Sequence, residues 1–264
     1  MLKILAVGDV FGDAGCGFIE KHLRKIKKLE NADLVIVNAE NACGGSGIDK
    51  ETASLLFDSG ADVLTGGNHS YRKYAAFPLF DENDFVLRPI NFPPDGPGKG
   101  YCIAECKNGL RVLVISVCGQ VFMDPVDSPF TAAEKLLSSQ KGNYDLAVCD
   151  FHAEATSEKA AFGAYFDGRI KIVFGTHTHV QTADERLTEK GGAFISDIGM
   201  VGVEDSVIGL TYDCAVPRFT KNVRYKSVQA LGKATFRGAL FTYDEARGVV
   251  TDVKRIKYNE EDLI

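Results

Sequence analysis

The chain has 264 residues, 45% hydrophobic and 25% charged, the balance of a globular protein whose core needs no disulfides. Its formal charge of −6 argues against a protein whose main task is to wrap a nucleic-acid backbone, although a local site can oppose the global sign. The seven cysteines are odd in number and form no CxxC pair, which predicts reduced thiols in a cytoplasmic protein. Cys102 and Cys106 suggest half a zinc site, but no second pair completes it and burial is the better reading. No stretch approaches the roughly 20 apolar residues of a membrane helix, so no membrane partner is expected. The opening run Leu2–Val7 contains Lys3, is stopped by Asp9 and is too short for a signal-peptide core.

In chain order, Leu2–Val7 reads as a strand buried on both faces. Ile19, Leu23, Ile26 and Leu29 then recur at helical spacing, with Lys21, Arg24, Lys25, Lys27 and Lys28 as a solvated face and His22 exposed among them. After a strand at residues 34–37, a helix starts near Asp49. Asp49 has N-cap chemistry, Thr52 stands at the capping-box position, and Leu55 and Leu56 point inward. A further strand ends the run 61–64. Residues 89–100, rich in Pro and Gly, read as a surface connection. Strands at 101–106 and 112–117 follow, joined by a hairpin turn at Asn108-Gly109. A helix over 131–138, the run 146–148 leading to His152 and the run 170–174 come next. Beyond His179, Ala193–Ile195 and residues 239–243 and 249–256 read as strands, the last two joined through Ala246-Arg247-Gly248. Strands with helical crossovers followed by hairpins predict one α/β domain, with a mixed sheet or two packed sheets and helices outside.

Five of these runs end in residues that bind metals: Asp9, Glu40-Asn41, Asn68-His69, His152 and His177/His179. In an open α/β sheet, ligands bind beyond the carboxyl ends of the strands, so side chains distant in sequence meet there. Asp9 alone suits a helix cap as well as a metal ion. The glycines of Gly8-Asp9-Val10-Phe11-Gly12 do not follow GxGxxG, which weakens a dinucleotide reading. Glu40 can give one oxygen to each of two ions, and the glycines after Cys43 let the backbone approach a ligand. Asn68 is a reasonable oxygen ligand, and His69 beside it suits a proton donor. His177-Thr178-His179 places two imidazoles on one side of an extended segment. Asp9, Glu40, Asn68, His152, His177 and His179 make six ligands, with Asn41 a seventh candidate. One tetrahedral zinc uses three or four; two ions sharing Glu40 would use the set, the arrangement that cleaves phosphoesters.

Gly66-Gly67-Asn68-His69 and Gly175-Thr176-His177-Thr178-His179 resemble the metallophosphoesterase superfamily. More closely, the chain resembles its bacterial YmdB-type branch, the cyclic-nucleotide phosphodiesterases. Gly8–Gly12, Asn38–Asn41, the block from Asp150 to Lys159, the block from Gly175 to Asp184, and Asp197-Ile198-Gly199-Met200 carry that likeness, which runs from about residue 3 to about residue 255. The resemblance implies a single domain over residues 1–264, a four-layer α-β-β-α sandwich of two mixed sheets flanked by helices. It implies two divalent transition-metal ions, Fe or Mn ahead of Zn, and a homo-oligomer. Asp9, Glu40, Asn41 and His179 would hold one ion and Glu40, Asn68, His152 and His177 the other, with His69 the proton donor. The superfamily usually has Asp-x-His at the first strand; here Asp9-Val10-Phe11 stands there, and Asn41 compensates in the YmdB-type branch. That branch commonly has an Arg after the first glycine turn and a Trp after Gly-Asn-His, where this chain has Cys16-Gly17 and Ser70-Tyr71.

The expected activity is hydrolysis of 2′,3′-cyclic nucleotides such as 2′,3′-cAMP, extending to 3′,5′-cAMP, by in-line attack of a metal-bridging hydroxide. Two alternatives stay open. One is a phosphomonoesterase or 5′-nucleotidase using the same ligands. The other is a metal-dependent regulatory or RNA-binding protein with weak catalysis, to which Arg218, Lys221, Arg224 and Lys226 lend slight support.

Overall fold

The first strand, β1, spans Leu2–Val7, and its alternate side chains enter two different cores. Leu5 and Val7 face helices, whereas Leu2, Ile4 and Ala6 face a second sheet. The structure, a computed structural model, describes every residue except Asn108. Chain order continues with β2 (Asp9–Val10), α1 (Gly12–Glu30), β3 (Leu34–Asn38), α2 (Lys50–Asp58), β4 (Val63–Thr65), α3 (Phe77–Glu82), β5 (Tyr101–Glu105) and β6 (Arg111–Cys118). Then come α4 (Pro129–Ser139), β7 (Leu146–His152), α5 (Thr156–Tyr165), β8 (Ile172–Thr176), β9 (Arg186–Leu187), β10 (Ala193–Ile195), β11 (Met200–Val203), α6 (Tyr212–Thr220), β12 (Ala234–Asp244) and β13 (Val249–Asn259).

The first sheet runs β2-β11-β12-β1-β3-β4, with β13 also paired to β12. The second runs β5-β6-β7-β8-β10-β9. Both are mixed: β1 pairs parallel with β3 and antiparallel with β12, while β6, β7, β8 and β10 are parallel between antiparallel β5 and β9. Three cores separate four layers. Helices α1, α2 and α3 cover the first sheet through Ile19, Leu23, Leu56 and Phe80. Ile36 and Val63 meet Val114, Val148 and Phe174 between the sheets. Leu136 of α4 and Phe162 of α5 cover the second sheet over Ile115 and Cys149. The expected α-β-β-α sandwich is the observed one.

Several local readings shift. Leu29 is 51% exposed, so the buried apolar stripe of α1 ends at Ile26. His22 is half-buried, its ring 4.8 Å from that of Phe18. Asp49 caps α2, accepting from the Thr52 amide at 2.9 Å. Leu56 of α2 is fully buried and Leu55 partly so. Strand β7 continues through Asp150 to His152, although the apolar run stops sooner, because that end is buried by the site. Helices α3, α5 and α6 go beyond the elements expected from the sequence. The hairpin of β5 and β6 is present and Gly109 has φ 80°; Asn108, the other half of the expected turn, lies outside the described residues. All seven cysteines are free thiols, with Cys102 and Cys106 in the inter-sheet core. Among the described residues no helix is long and apolar enough to cross a membrane.

Candidate metal centre

Parallel strands β1, β3, β4, β7 and β8 end on the same side, and the expected site residues follow those ends. Asp9, Glu40, Asn41, Asn68 and His69 come from the first sheet. His152, His177 and His179 come from the second. The structure brings all eight together. His152 Nε2 lies 3.0 Å from Asn68 Oδ1, 3.0 Å from His177 Nδ1 and 3.3 Å from Glu40 Oε2. Asp9 Oδ1 stands 3.8 Å from both His152 Nδ1 and His179 Nε2. Asn41 joins the halves: its Nδ2 reaches Glu40 Oε1 at 2.7 Å and His179 Nε2 at 3.1 Å, and its Oδ1 meets His69 Nδ1 at 2.8 Å. Gly67 has to be glycine here, since a Cβ would sit 2.4 Å from Glu40 Oε2 and from His152 Nε2.

Each of the three clustered imidazoles has its outward nitrogen tied off. Thr176 Oγ1 donates to Asp150 Oδ1 at 2.6 Å, so its lone pair accepts from His152 Nδ1 at 2.9 Å. Glu154 Oε2 lies 3.1 Å from His177 Nε2, and the Ile208 carbonyl lies 2.9 Å from His179 Nδ1. Carboxylates and carbonyls only accept, so the protons sit on the outward nitrogens. The lone pairs of His152 Nε2, His177 Nδ1 and His179 Nε2 therefore turn inward. Glu40, His152 and His177 can hold a metal ion, their ligand atoms lying within 4.8 Å of one another.

The electrostatics follow from burial and neighbours. Burial pushes the Asp9 carboxyl up to about 6, against the pull of His179 and His152. Its Oδ1 is buried with no hydrogen-bond partner among the described residues, so the expected alternative of a helix cap does not hold; α1 has no side-chain cap. Burial works against ionising Glu40, but His152 and His69 hold it well below the usual carboxylate range. His152 is disfavoured as a cation by burial, yet Glu40, Asp9 and Asp150 lift it to about 9. Burial and the charge of His152 drive His177 down to about 3.

Several supporting residues carried no assigned role in the sequence reading. Asp150 accepts from Asn38, Thr65 and Thr176. Lys159, wholly buried, donates to the Thr176 carbonyl and to Asp197 Oδ2, each at 2.8 Å, and Asp197 Oδ2 also accepts from the Thr178 amide. This pair braces the turn carrying His177 and His179. The centre opens into a cavity of about 510 Å³, where Phe11, Ile208 and Leu210 supply an apolar side and Arg218 a cation. Cys16-Gly17 and Ser70-Tyr71 lie outside that lining. Ser70 closes the Gly67 turn through its hydroxyl, and Tyr71 packs among Phe77, Phe80 and Phe92.

Comparison with known proteins matches residues 5–256 to the YmdB-like protein family. The chain belongs to the YmdB-like family. It is 38% identical over 262 residues to a Bacillus subtilis protein named 2′,3′-cyclic-nucleotide 2′-phosphodiesterase, covering 99% of both chains. A Mycoplasma pneumoniae relative named putative phosphatase/phosphodiesterase is 35% identical, covering 99% of this chain and 94% of that one. Among solved structures, a hypothetical protein from Thermus thermophilus superposes with a TM-score of 0.92 at 36% identity, covering 98% of this chain and 99% of that one. A Mycoplasma pneumoniae structure described as a novel phosphatase gives 0.92 at 32% identity, covering 98% and 93%. As a YmdB-like protein, the chain is a hydrolytic phosphoesterase.

Proposed function

We propose that the chain is a dinuclear-metal phosphodiesterase that opens 2′,3′-cyclic nucleotides, with 3′,5′-cAMP a second candidate substrate. The observation that carries this reading is the tying-off of three imidazoles by Thr176, Glu154 and the Ile208 carbonyl, which aims their lone pairs at two buried carboxylates. The unpartnered Asp9 Oδ1 fits a cation at the same point. Asp9, Glu40, Asn41 and His179 would hold one ion, and Glu40, Asn68, His152 and His177 the other. Asn41 would turn its amide over so that Oδ1 faces Glu40 and His179. Mixed imidazole, amide and carboxylate donors suit Fe or Mn, with Zn as a third candidate. When bound, such ions supply an activated water and neutralise charge on the phosphoryl group.

The chain's own residues do the rest. Phe11, Ile208 and Leu210 give a base an apolar wall, and Arg218 faces the phosphate with a cation. His69 meets Asn41 at Nδ1; once the amide is turned over, Asn41 Nδ2 would donate to that nitrogen, which leaves the Nε2 proton to the cavity. In the reaction, a water oxygen joins phosphorus and the bond from phosphorus to O2′ breaks. His69 Nε2 gives O2′ its proton, and the 3′-monophosphate leaves. The name of the Bacillus subtilis relative supports the choice of bond.

The test is turnover of 2′,3′-cAMP, 3′,5′-cAMP and AMP by Mn²⁺- or Fe²⁺-loaded protein. The cyclic 2′,3′ substrate is expected to be fastest, and His69→Ala should lower kcat by about 10²–10⁴-fold. Faster hydrolysis of AMP would make the protein a monoesterase.

A further inference from the structure

We propose that residues 212–226, on the rim of the cavity, form a tract for the sugar-phosphate chain of RNA, so that the substrate class extends to oligoribonucleotides ending in a 2′,3′-cyclic phosphate. The inference rests on the phosphodiesterase reading and adds to it what the rest of the substrate is. Within this segment Arg218, Lys221, Arg224 and Lys226 stand against the single acid Asp213, a local charge of +3 in a chain of −6. Among the described residues no carboxylate lies within ion-pair distance of any of the four, and all four are exposed. A solvated face needs no aromatics, yet Phe219 and Tyr225, which lie between the cations, are 78% and 57% exposed, and Tyr212 ahead of them is 51% exposed. Exposed rings interleaved with cations are the stacking-and-phosphate pattern of single-strand binding. Position decides the orientation: Arg218 lines the cavity, as does Ser227 just beyond the tract, so a strand lying on it leads its end toward His69 and His177. RNA cleavage by attack of a 2′-hydroxyl leaves such cyclic ends, and that class of reaction would supply the substrate.

The experiment measures kcat/KM of the Mn²⁺-loaded full chain on 2′,3′-cAMP and on a tetranucleotide ending in a 2′,3′-cyclic phosphate. The tetranucleotide is expected to be favoured by about tenfold at about 50 mM salt, with the advantage shrinking by about 200 mM. The variant K221E/R224E/K226E, whose residues do not line the cavity, should erase the preference while leaving 2′,3′-cAMP within about twofold. Equal kcat/KM on both substrates in the wild type, or a preference that survives the triple variant, overturns the tract. So does charge-dependent binding to anionic lipid vesicles without any preference for the tetranucleotide. Failure to hydrolyse either substrate would instead sink the phosphodiesterase reading. Anisotropy of a labelled tetranucleotide 3′-phosphate then still decides the tract, whose loss of three cations should lower the salt slope of log Kd by about 2.

Discussion

His177 and His179 hold φ values of 100° and 66°, a backbone region that costs a non-glycine residue about 1–3 kcal/mol. Such strain persists only where the surroundings over-determine it. Here they do: the His177 amide donates to Asp9 Oδ2, the Thr178 amide to Asp197 Oδ2, and Lys159 grips the Thr176 carbonyl. The sharpest single-residue test concerns Thr176, whose hydroxyl relays Asp150 to His152. Thr176→Val keeps the shape of the side chain but removes these bonds and the one the hydroxyl accepts from Asn38 Nδ2 at 3.3 Å. It should weaken metal affinity by about 10–100-fold, as loss of an outer partner of a histidine ligand does. A competition titration with a chromophoric chelator reads this directly, and unchanged affinity would show that the relay does not orient His152.

At the scale of elements, α2 offers a stability test in Asp49, which accepts from the Thr52 amide and hydroxyl and also from the Cys43 thiol. Asp49→Ala should cost about 1 kcal/mol in urea unfolding at neutral pH. Burial raises the Asp49 carboxyl, but Cys43 and Thr52 outweigh it and hold the group below its ordinary 3.8. A depressed carboxylate contributes stability above its unfolded pKa and loses it as pH falls through the folded one. The gap between wild type and variant should therefore narrow below pH 3.8. A gap that stays constant to low pH would rule out an ionic contribution to the cap. Asp49 was also legible in advance, because a cap needs only a short polar side chain before an apolar periodic run. The same logic made the ends of β1, β3, β4, β7 and β8 legible: Asp, Asn, Glu and His stand out where buried strands stop. The groups that fix those side chains carried no role in the sequence reading. Thr176 passes for an ordinary strand former, the Ile208 carbonyl has no sequence signature, and Lys159 on α5 reads as a surface lysine although it is fully buried. The short helix α6 was hidden because Pro217 interrupts its pattern.

On the scale of the whole molecule, the site lies across the seam of the sandwich. Asp9, Glu40 and Asn68 belong to the first sheet, and His152, His177 and His179 to the second. Apolar packing from Ile4, Ile36 and Val63 against Val114, Val148 and Phe174 holds the layers together away from that edge. At the edge itself, two buried carboxylates face three imidazoles, an arrangement that divalent charge would complement. A cation bound there would tie the two sheets together and would bind the folded chain in preference to the unfolded one. At Mn²⁺ about 100-fold above its Kd, linkage adds about 2.7 kcal/mol to stability. For a chain of this size that is a rise in Tm of roughly 5–10 °C. Calorimetry of chelator-treated protein with and without Mn²⁺ measures it. His152→Ala, which removes a ligand from the second sheet, should abolish the rise even where the variant starts from a lower Tm. A metal-independent Tm in the wild type would mean that no cation bridges the sheets, whatever the aim of the histidines.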